Sequence, residues 1–290
     1  MGTKLSQPEN SLKKNLTAII LCAGEGKRIK NFIPDIPKPL IEVKNKPLLL
    51  HIISNLKRIS LDSILIITGH LGNKIETYIS SNKNTHSFLK GVKVLNSGED
   101  YKKGPLYSFL SIFNNKILLR KNDIYLLIPG DTYFNPEIYT EVIKIILNNL
   151  NILETNSIIF YQKIEGIKLK ATNDSMKLIS SLIIEERKSK KLLKEIQQKK
   201  LAEIELMEEI SQILPIFVLN HKFVAKIINT EKKLSVNTIR EIVNYIIQQK
   251  NYNFIAIPIQ SHYKFYDIDT RSDLLTIREE KEDNRRSDRS

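Results

Sequence analysis

Residues Leu16–Cys22 read LTAIILC, and Ala23–Leu40 continue directly as AGEGKRIKNFIPDIPKPL. Seven largely apolar residues with branched side chains make a buried strand, and the strand runs straight into Ala23-Gly24-Glu25-Gly26. A glycine-rich turn at a strand end leaves backbone N–H groups free to cradle an anion, and Arg28 and Lys38 are two fixed cations placed to neutralise it. Taken alone, the turn could also be a plain βα connection with solvated Arg and Lys. A dinucleotide fingerprint is excluded, because the sixth position of G-x-G-x-x-G is Ile29 and the second strand ends in Ile67-Thr68-Gly69-His70 without an acid. A Walker loop is excluded too, because Lys27 is followed by Arg28 and not by Ser or Thr.

Outward from this stretch, strand and helix patterns alternate. Asn45 and Pro47 open a helix, with Pro at the first helical position, that continues through Leu48, Ile52 and Leu56. Ser63–Thr68 reads as a strand, Gly72–Ser80 as a helix, Val92–Leu95 as a strand, and Asn96–Gly104 as a loop before a helix over Leu106–Phe113. Ile124–Ile128 is an apolar strand ending in Pro129-Gly130-Asp131; the helix Pro136–Leu150 and the strand Ser157–Tyr161 follow. This alternation predicts an α/β fold with a doubly wound, mostly parallel sheet and ligands at the carboxyl ends of its strands. The Gly24 turn and Asp131 both fall at such ends.

The second half is less regular. Glu185–Glu209 carries acidic and basic residues in equal number, and its apolar positions Leu193, Ile196, Leu201, Ile204, Met207 and Ile210 recur every three to five residues. The spacing predicts a charged helical insertion over 185–212, solvated on one face, with a homo-oligomer interface as the second reading. Its cations come first and its carboxylates later, which opposes the helix dipole unless the insertion is a helical hairpin or packs on a partner. Ile213–Leu219 and Phe254–Pro258 read as strands, Val236–Gln249 and Arg271–Glu280 as helices. The organisation expected is a flexible leader over 1–15, one domain over 16–280 and a disordered tail over 281–290. Within the domain, the expected division is into two halves, 16–161 and 162–280.

The net charge is +13, which favours anionic partners. The basic residues are spread along the chain and not gathered into a tail, and no zinc spacing, RNA-recognition aromatic pair or helix-turn-helix pattern accompanies them. Both observations argue against nucleic acid as the partner. No apolar run reaches the length of a membrane span, and Met1–Asn15 has no signal-peptide core. A single cysteine, Cys22, suits a reducing, cytoplasmic setting.

Two groups of carboxylates stand out. Asp131 follows Gly130 after an apolar strand. Asp267 and Asp269 lie in FYDIDT, where i, i+2 spacing on an extended segment puts both on one face and Tyr266 and Ile268 on the other. A like-charge pair so placed calls for a cation. Asp269 or Thr270 also reads as the cap of the following helix.

The string A-G-x-G-x-R followed by P-K-P-L, with G-D after the central strand and D-I-D-T-x-x-D-L near the end, resembles the signature of the nucleotidyltransferases that make nucleotide-sugars and related activated phosphates. Within that family the nearest echoes are cytidylyltransferases acting on inositol phosphate or phosphocholine and guanylyltransferases of cofactor biosynthesis. The resemblance implies the Rossmann-like nucleotide-diphospho-sugar transferase architecture, a nucleoside triphosphate and a phosphorylated small-molecule acceptor as partners, Mg²⁺ as cofactor, and release of pyrophosphate. Carried over by position, Leu21, Cys22, Ala23, Gly24, Glu25 and Gly26 would line the nucleotide, and Arg28 and Lys38 would grip the triphosphate. Asp131 and Asp269 would hold Mg²⁺, with Asp267 as a third ligand. The segment NSGEDYKKGPL would meet base and ribose, with Gly104 admitting close backbone approach and Tyr101 stacking or closing the site; a surface Ω-type loop is the other reading of it. Lys163, Lys168 and Lys170 stand where an acceptor phosphate would be met, or are simply exposed. The family pattern usually continues T-P-E-D-L, whereas Thr270 is followed here by Arg271-Ser272-Asp273-Leu274. The acceptor region is replaced by the charged insertion. A non-catalytic relative that senses nucleotides or scaffolds a complex is the competing function.

Overall fold

The computed structural model describes residues 15–113, 123–170, 177–231, 234–250 and 252–277. The leader and tail expectations, and the end of the last helix, lie outside the described residues. Strand β1 (Leu16–Cys22) pairs in parallel with β2 (Ile64–Thr68) on one side and with β4 (Ile124–Pro129) on the other, and β2 pairs in parallel with β3 (Lys93–Asn96). Helices α1 (Leu48–Arg58), α2 (Gly72–Asn82) and α3 (Pro105–Leu110) make the crossovers. Alternate residues of β1 face opposite layers: Leu16, Ala18 and Ile20 pack under α1 and α2, and Ile19 packs under α3. Burial on both faces is why this strand, and β4, read as continuous apolar runs.

The full sheet has nine strands in the order β3-β2-β1-β4-β9-β6-β10-β8-β7. Here β6 is Ser157–Glu165, β7 Leu178–Arg187, β8 Lys190–Lys200, β9 Glu209–Asn220 and β10 Phe254–Pro258. The mostly parallel sheet of the sequence reading is confined to β3-β2-β1-β4 and to the β6–β10 pair. Between β4 and β6 lies β9, antiparallel to both, so the sheet is mixed. Helix α4 (Pro136–Asn148) covers the first layer; α5 (His221–Glu231), which the sequence reading missed, and α6 (Ile239–Gln248) cover the second. Pro47 is the residue before α1 and not its first helical position.

The charged insertion is not helical. Residues 178–200 form the β7–β8 hairpin, followed by a short 3₁₀ turn at Leu201–Glu203. The opposed helix dipole therefore does not arise, nor does a helical oligomer interface. Lys188 and Ser189 connect the strands with φ of 47° and 64°, the two positive values of a type I′ turn. Single bridges, Leu192↔Ile255 and Gln212↔Ser181, tie the hairpin to β10 and β9, so that β9, β6, β10, β8 and β7 close a ring. A register shift between Leu214 and Phe217 places Pro215 where the ladder with β6 is interrupted, the position a residue without an N–H tolerates.

A second sheet has two strands: β5 (Thr132–Phe134) pairs antiparallel with β11 (Phe265–Asp267). It draws the far end of the chain onto the carboxyl edge of β4, where helix α7 (271–277) closes a small core of Ile29, Ile41, Val43, Ile268, Leu274 and Ile277.

Lys188 and Ser189 have side chains in a conformation that disfavours Cβ by about 1–2 kcal/mol per residue. Replacing them with Asn-Gly should therefore stabilise the protein by on the order of 1 kcal/mol. A rise in the urea midpoint without a change in slope is expected, and an unchanged or lower midpoint would refute the hairpin geometry.

Candidate functional site

Three loops meet at the carboxyl edge of β1 and β4. The first leaves β1 at Ala23, whose carbonyl accepts from the His70 N–H at 3.1 Å and so binds the turn to the end of β2. Gly26 has a φ of +61°, and the stem of Lys38 lies across it, with Cγ 3.1 Å from where a Cβ would stand. A side chain there would be strained and would push Lys38 aside. At Gly24 an added Cβ would meet nothing, so its side of the turn faces open space. Cys22 is buried; Gly130 leaves room for its Sγ, and burial, with Asp131 adding to the effect, holds the thiol pKa well above its usual range. Its side chain is core, and only its main chain is available to a ligand.

The second loop joins β4 to β5. Gly130 N–H donates to the Leu21 carbonyl at 2.8 Å, locking it to the end of β1 and turning Asp131 outward. The third follows β11, and Ile268 N–H donates to the Asp131 carbonyl at 2.9 Å. Ile268 is fully buried, as its alternation with the aspartates requires.

Lys38 lies between the two loops. Its Nζ is 2.6 Å from Asp269 Oδ1 and 3.4 Å from Asp131 Oδ2, and its side chain is only 11% exposed. Burial opposes the ammonium charge, but the two carboxylates outweigh it and raise the Lys38 pKa. Arg28, exposed at the mouth, reaches the other oxygen of Asp269 at 2.8 Å. The structure thus brings Arg28, Lys38, Asp131 and Asp269 together, although their numbers span most of the chain.

Asp267 does not join them. It accepts from Thr132 Oγ1 at 2.5 Å and lines a different cavity. Burial, partly countered by Thr132 and reinforced by Asp131, pushes its pKa up to about 6. Among the described residues no group of three or more His, Cys, Asp or Glu side chains converges as a metal site, so the three-carboxylate set expected from the sequence is not assembled. Asp131 and Asp269 nevertheless face one positive charge, the Lys38 ammonium. Two hard oxygen donors that share one cation fit Mg²⁺, which is commonly bound through one or two carboxylates with phosphates completing the shell.

A cavity of about 420 Å³ opens beside this cluster, walled by Leu21, Ala23, Gly24, Glu25 and Gly26 on one side and by Tyr101, Gly104 and Asp131 on the other. Tyr101 lies over Gly69, near the His70 ring at 6.1 Å. Gly104 also has a structural task. Its φ is +115°, and a Cβ would stand 2.5 Å from the Asn237 carbonyl, so the close approach it admits is that of the chain before α6. A second cavity, about 380 Å³, is lined by Gln162, Lys168, Lys177, Gln212, Tyr266 and Asp267 at the open end of the strand ring. Of the three lysines after β6, Lys163 pairs with Glu209 at 2.6 Å, and Lys168 stands 3.8 Å from Glu165 on the wall of this cavity. Lys170 ends the short helical turn Gly166–Lys170.

Sequence reasoning missed Thr132, Lys177 and the role of Asp273. A usable signal was present for the last: Thr270-x-x-Asp273 is a capping box, with Thr270 N–H donating to Asp273 Oδ2 at 2.7 Å and Asp273 N–H donating back to Thr270 Oγ1 at 3.3 Å. Thr270, and not Asp269, caps the helix.

A family model described as the MobA-like NTP transferase domain matches residues 18–200. D-glycero-alpha-D-manno-heptose 1-phosphate guanylyltransferase of Campylobacter jejuni is 34% identical over 120 residues, which are 41% of this chain and 49% of that protein. A probable glucose-1-phosphate cytidylyltransferase of Bacillus subtilis is 34% identical over 74 residues, 26% of this chain and 29% of that one. The chain thus matches half or less of the length of these curated relatives. The solved structure of a putative glucose-1-phosphate thymidylyltransferase from Bacillus anthracis superposes with a TM-score of 0.64, covering 90% of this chain and 93% of that chain at 20% identity, a likeness of fold.

An acid with a raised native pKa binds its proton more tightly when folded, so its contribution to stability falls as pH rises from 3.8 to about 6 and is constant above. Asp267→Asn keeps an acceptor for Thr132 but has no proton to lose. Its urea midpoint should exceed that of the wild type above this window and approach it at the acid end; parallel pH profiles would contradict the assignment.

Proposed function

The chain belongs to the family of MobA-like NTP transferase domains, and from that premise we propose that it condenses a nucleoside triphosphate with a sugar phosphate or polyol phosphate. The products would be pyrophosphate and a nucleoside-diphosphate-activated compound. The observation that carries this reading is the Lys38 ammonium held between Asp131 and Asp269 at the edge of the glycine turn.

The chemistry needs no protein nucleophile. An oxygen of the acceptor phosphate attacks the α-phosphorus, the bond to the bridging oxygen breaks, and pyrophosphate leaves with the electron pair. Two crowded anions must meet, so catalysis is positioning and charge neutralisation. The amides of the turn from Ala23 to Gly26 would receive phosphate oxygens, with Gly24 leaving space for them. Lys38 would meet the non-bridging oxygens as charge builds there, and Arg28, at the mouth, the departing phosphates. One preorganised cation of this kind lowers the barrier by about 3–4 kcal/mol. Asp131 and Asp269 would hold Mg²⁺, which when bound polarises the phosphoryl oxygens and offsets their charge. In the free protein Lys38 neutralises those same carboxylates.

The cavity beside Tyr101 has room for base and ribose, and the second cavity, with Lys168 and Lys177 on its wall, for the acceptor. No helix among the described residues is long and apolar enough to cross a membrane, which agrees with small soluble substrates.

Pyrophosphate release should be detectable with one of CTP, GTP, UTP or dTTP, MgCl₂ and a panel of phosphorylated sugars and polyols. Lys38→Ala and Asp131→Ala should each slow it by at least ~10²-fold while retaining the wild-type circular dichroism. Near-normal rates in either variant would refute the site. Nucleotide binding without turnover by any pair would favour a sensing or scaffolding subunit.

A further inference from the structure

Asp269 stands where it does because of a side chain remote from the reacting groups. Asp273, only 13% exposed, turns Oδ2 back along the chain and accepts from three donors: Asp269 N–H at 3.0 Å, Thr270 N–H at 2.7 Å and the Thr270 hydroxyl at 2.9 Å. The capping box accounts for the bonds with Thr270. It does not account for the bond to the amide of Asp269, which lies one residue outside the cap. The other oxygen, Oδ1, is taken by Lys177 Nζ at 3.1 Å. Lys177 immediately precedes β7, and it lines the second cavity, so the contact runs from that cavity to the main chain of Asp269.

From this juxtaposition we infer that Asp273 is a positioning residue: it fixes the backbone at Asp269, and Lys177 holds it in that orientation. The inference rests on the nucleotidyltransferase reading of Asp269. A carboxylate that shares a cation with Asp131 must present one oxygen within a few tenths of an ångström. Asp269 Oδ1 does so from a loop, where among the described residues its side chain is held by Lys38 and the exposed Arg28. Fixing its amide removes the main-chain freedom that would smear that oxygen. Outer partners of this kind typically change metal affinity by about 10–100-fold.

The test is isothermal titration with CTP, GTP, UTP and dTTP, each in MgCl₂ and in EDTA. The quantity read is the factor by which Mg²⁺ tightens nucleotide binding. In Asp273→Asn that factor should fall by about tenfold or more, with affinity in EDTA unchanged. Lys177→Met, which alters only a cavity-wall side chain and keeps the capping box, should lower it in the same direction by less. Leu274→Ala, a cavity in the core under the same helix, should lower the melting temperature and leave the factor intact. An unchanged factor in both Asp273→Asn and Lys177→Met overturns the inference, as does an equal loss in Leu274→Ala. If the wild type binds none of the four nucleotides, the nucleotidyltransferase reading itself fails and the inference with it.

Discussion

Two ionised carboxylates held side by side repel one another unless a cation lies between them, and much of this molecule is arranged around that constraint. Asp131 arrives from the end of β4, and Asp269 from a loop more than a hundred residues later in the chain. The β5–β11 ladder joins them, and the bond from Ile268 to the Asp131 carbonyl sets their register. Lys38 comes from a third place, a 3₁₀ turn between two prolines, with its stem laid over Gly26. Lys38 is the cation that both carboxylates share, and Arg28 is a second partner for Asp269 alone. The cluster is therefore a joint between three distant parts of the chain.

On either side of the joint the chain builds a chamber by different means. The first lies at the switch point of a parallel sheet, where strand order reverses around β1 and the loops diverge, the usual place for a ligand in a doubly wound fold. The second lies where five strands close on themselves, and its wall contains the interrupted ladder at Pro215. Asp267 and Asp269, two residues apart, face these different surroundings. One is raised in pKa by burial beside Thr132; the other pairs with Lys38 and Arg28.

The first half was legible because its strands are buried on both faces and its turns carry Gly and Pro where the chain must stop. Leu16–Cys22 and Phe254–Pro258 fall where expected, and Ile124–Pro129 extends its reading by one residue. The hairpin was misread for a definite reason. A register shift between Leu193 and Glu195 adds a residue to β8. It puts Leu193 and Ile196 in the same hydrophobic cluster although they are three apart, a spacing that regular strands assign to opposite faces and helices to one. Pairing partners also lie outside any local window. The alternation puts Ile268 in the core as read, but Asp267 and Asp269 do not share one site and Tyr266 lines the same cavity as Asp267; the hydroxyl that claims Asp267 belongs to Thr132, which no spacing rule connects to it. Gly104 was recognised as a place of close approach, and the partner turned out to be Asn237.

The β7–β8 hairpin is fastened to the remainder of the sheet by one bridge at each flank, Leu192↔Ile255 and Gln212↔Ser181. Asn244 of α6 adds two bonds to the main chain of Ile196, and Leu182, Leu193 and Ile196 pack into the second core layer; none of these bonds involves β1, β4 or the β5–β11 ladder. The fold is in this sense built of a parallel-stranded chassis and a side panel. Changes in the panel would reshape the second chamber, whose wall holds Leu178, Ile179 and Ser180, and would be felt at the charge cluster through Lys177 and Asp273.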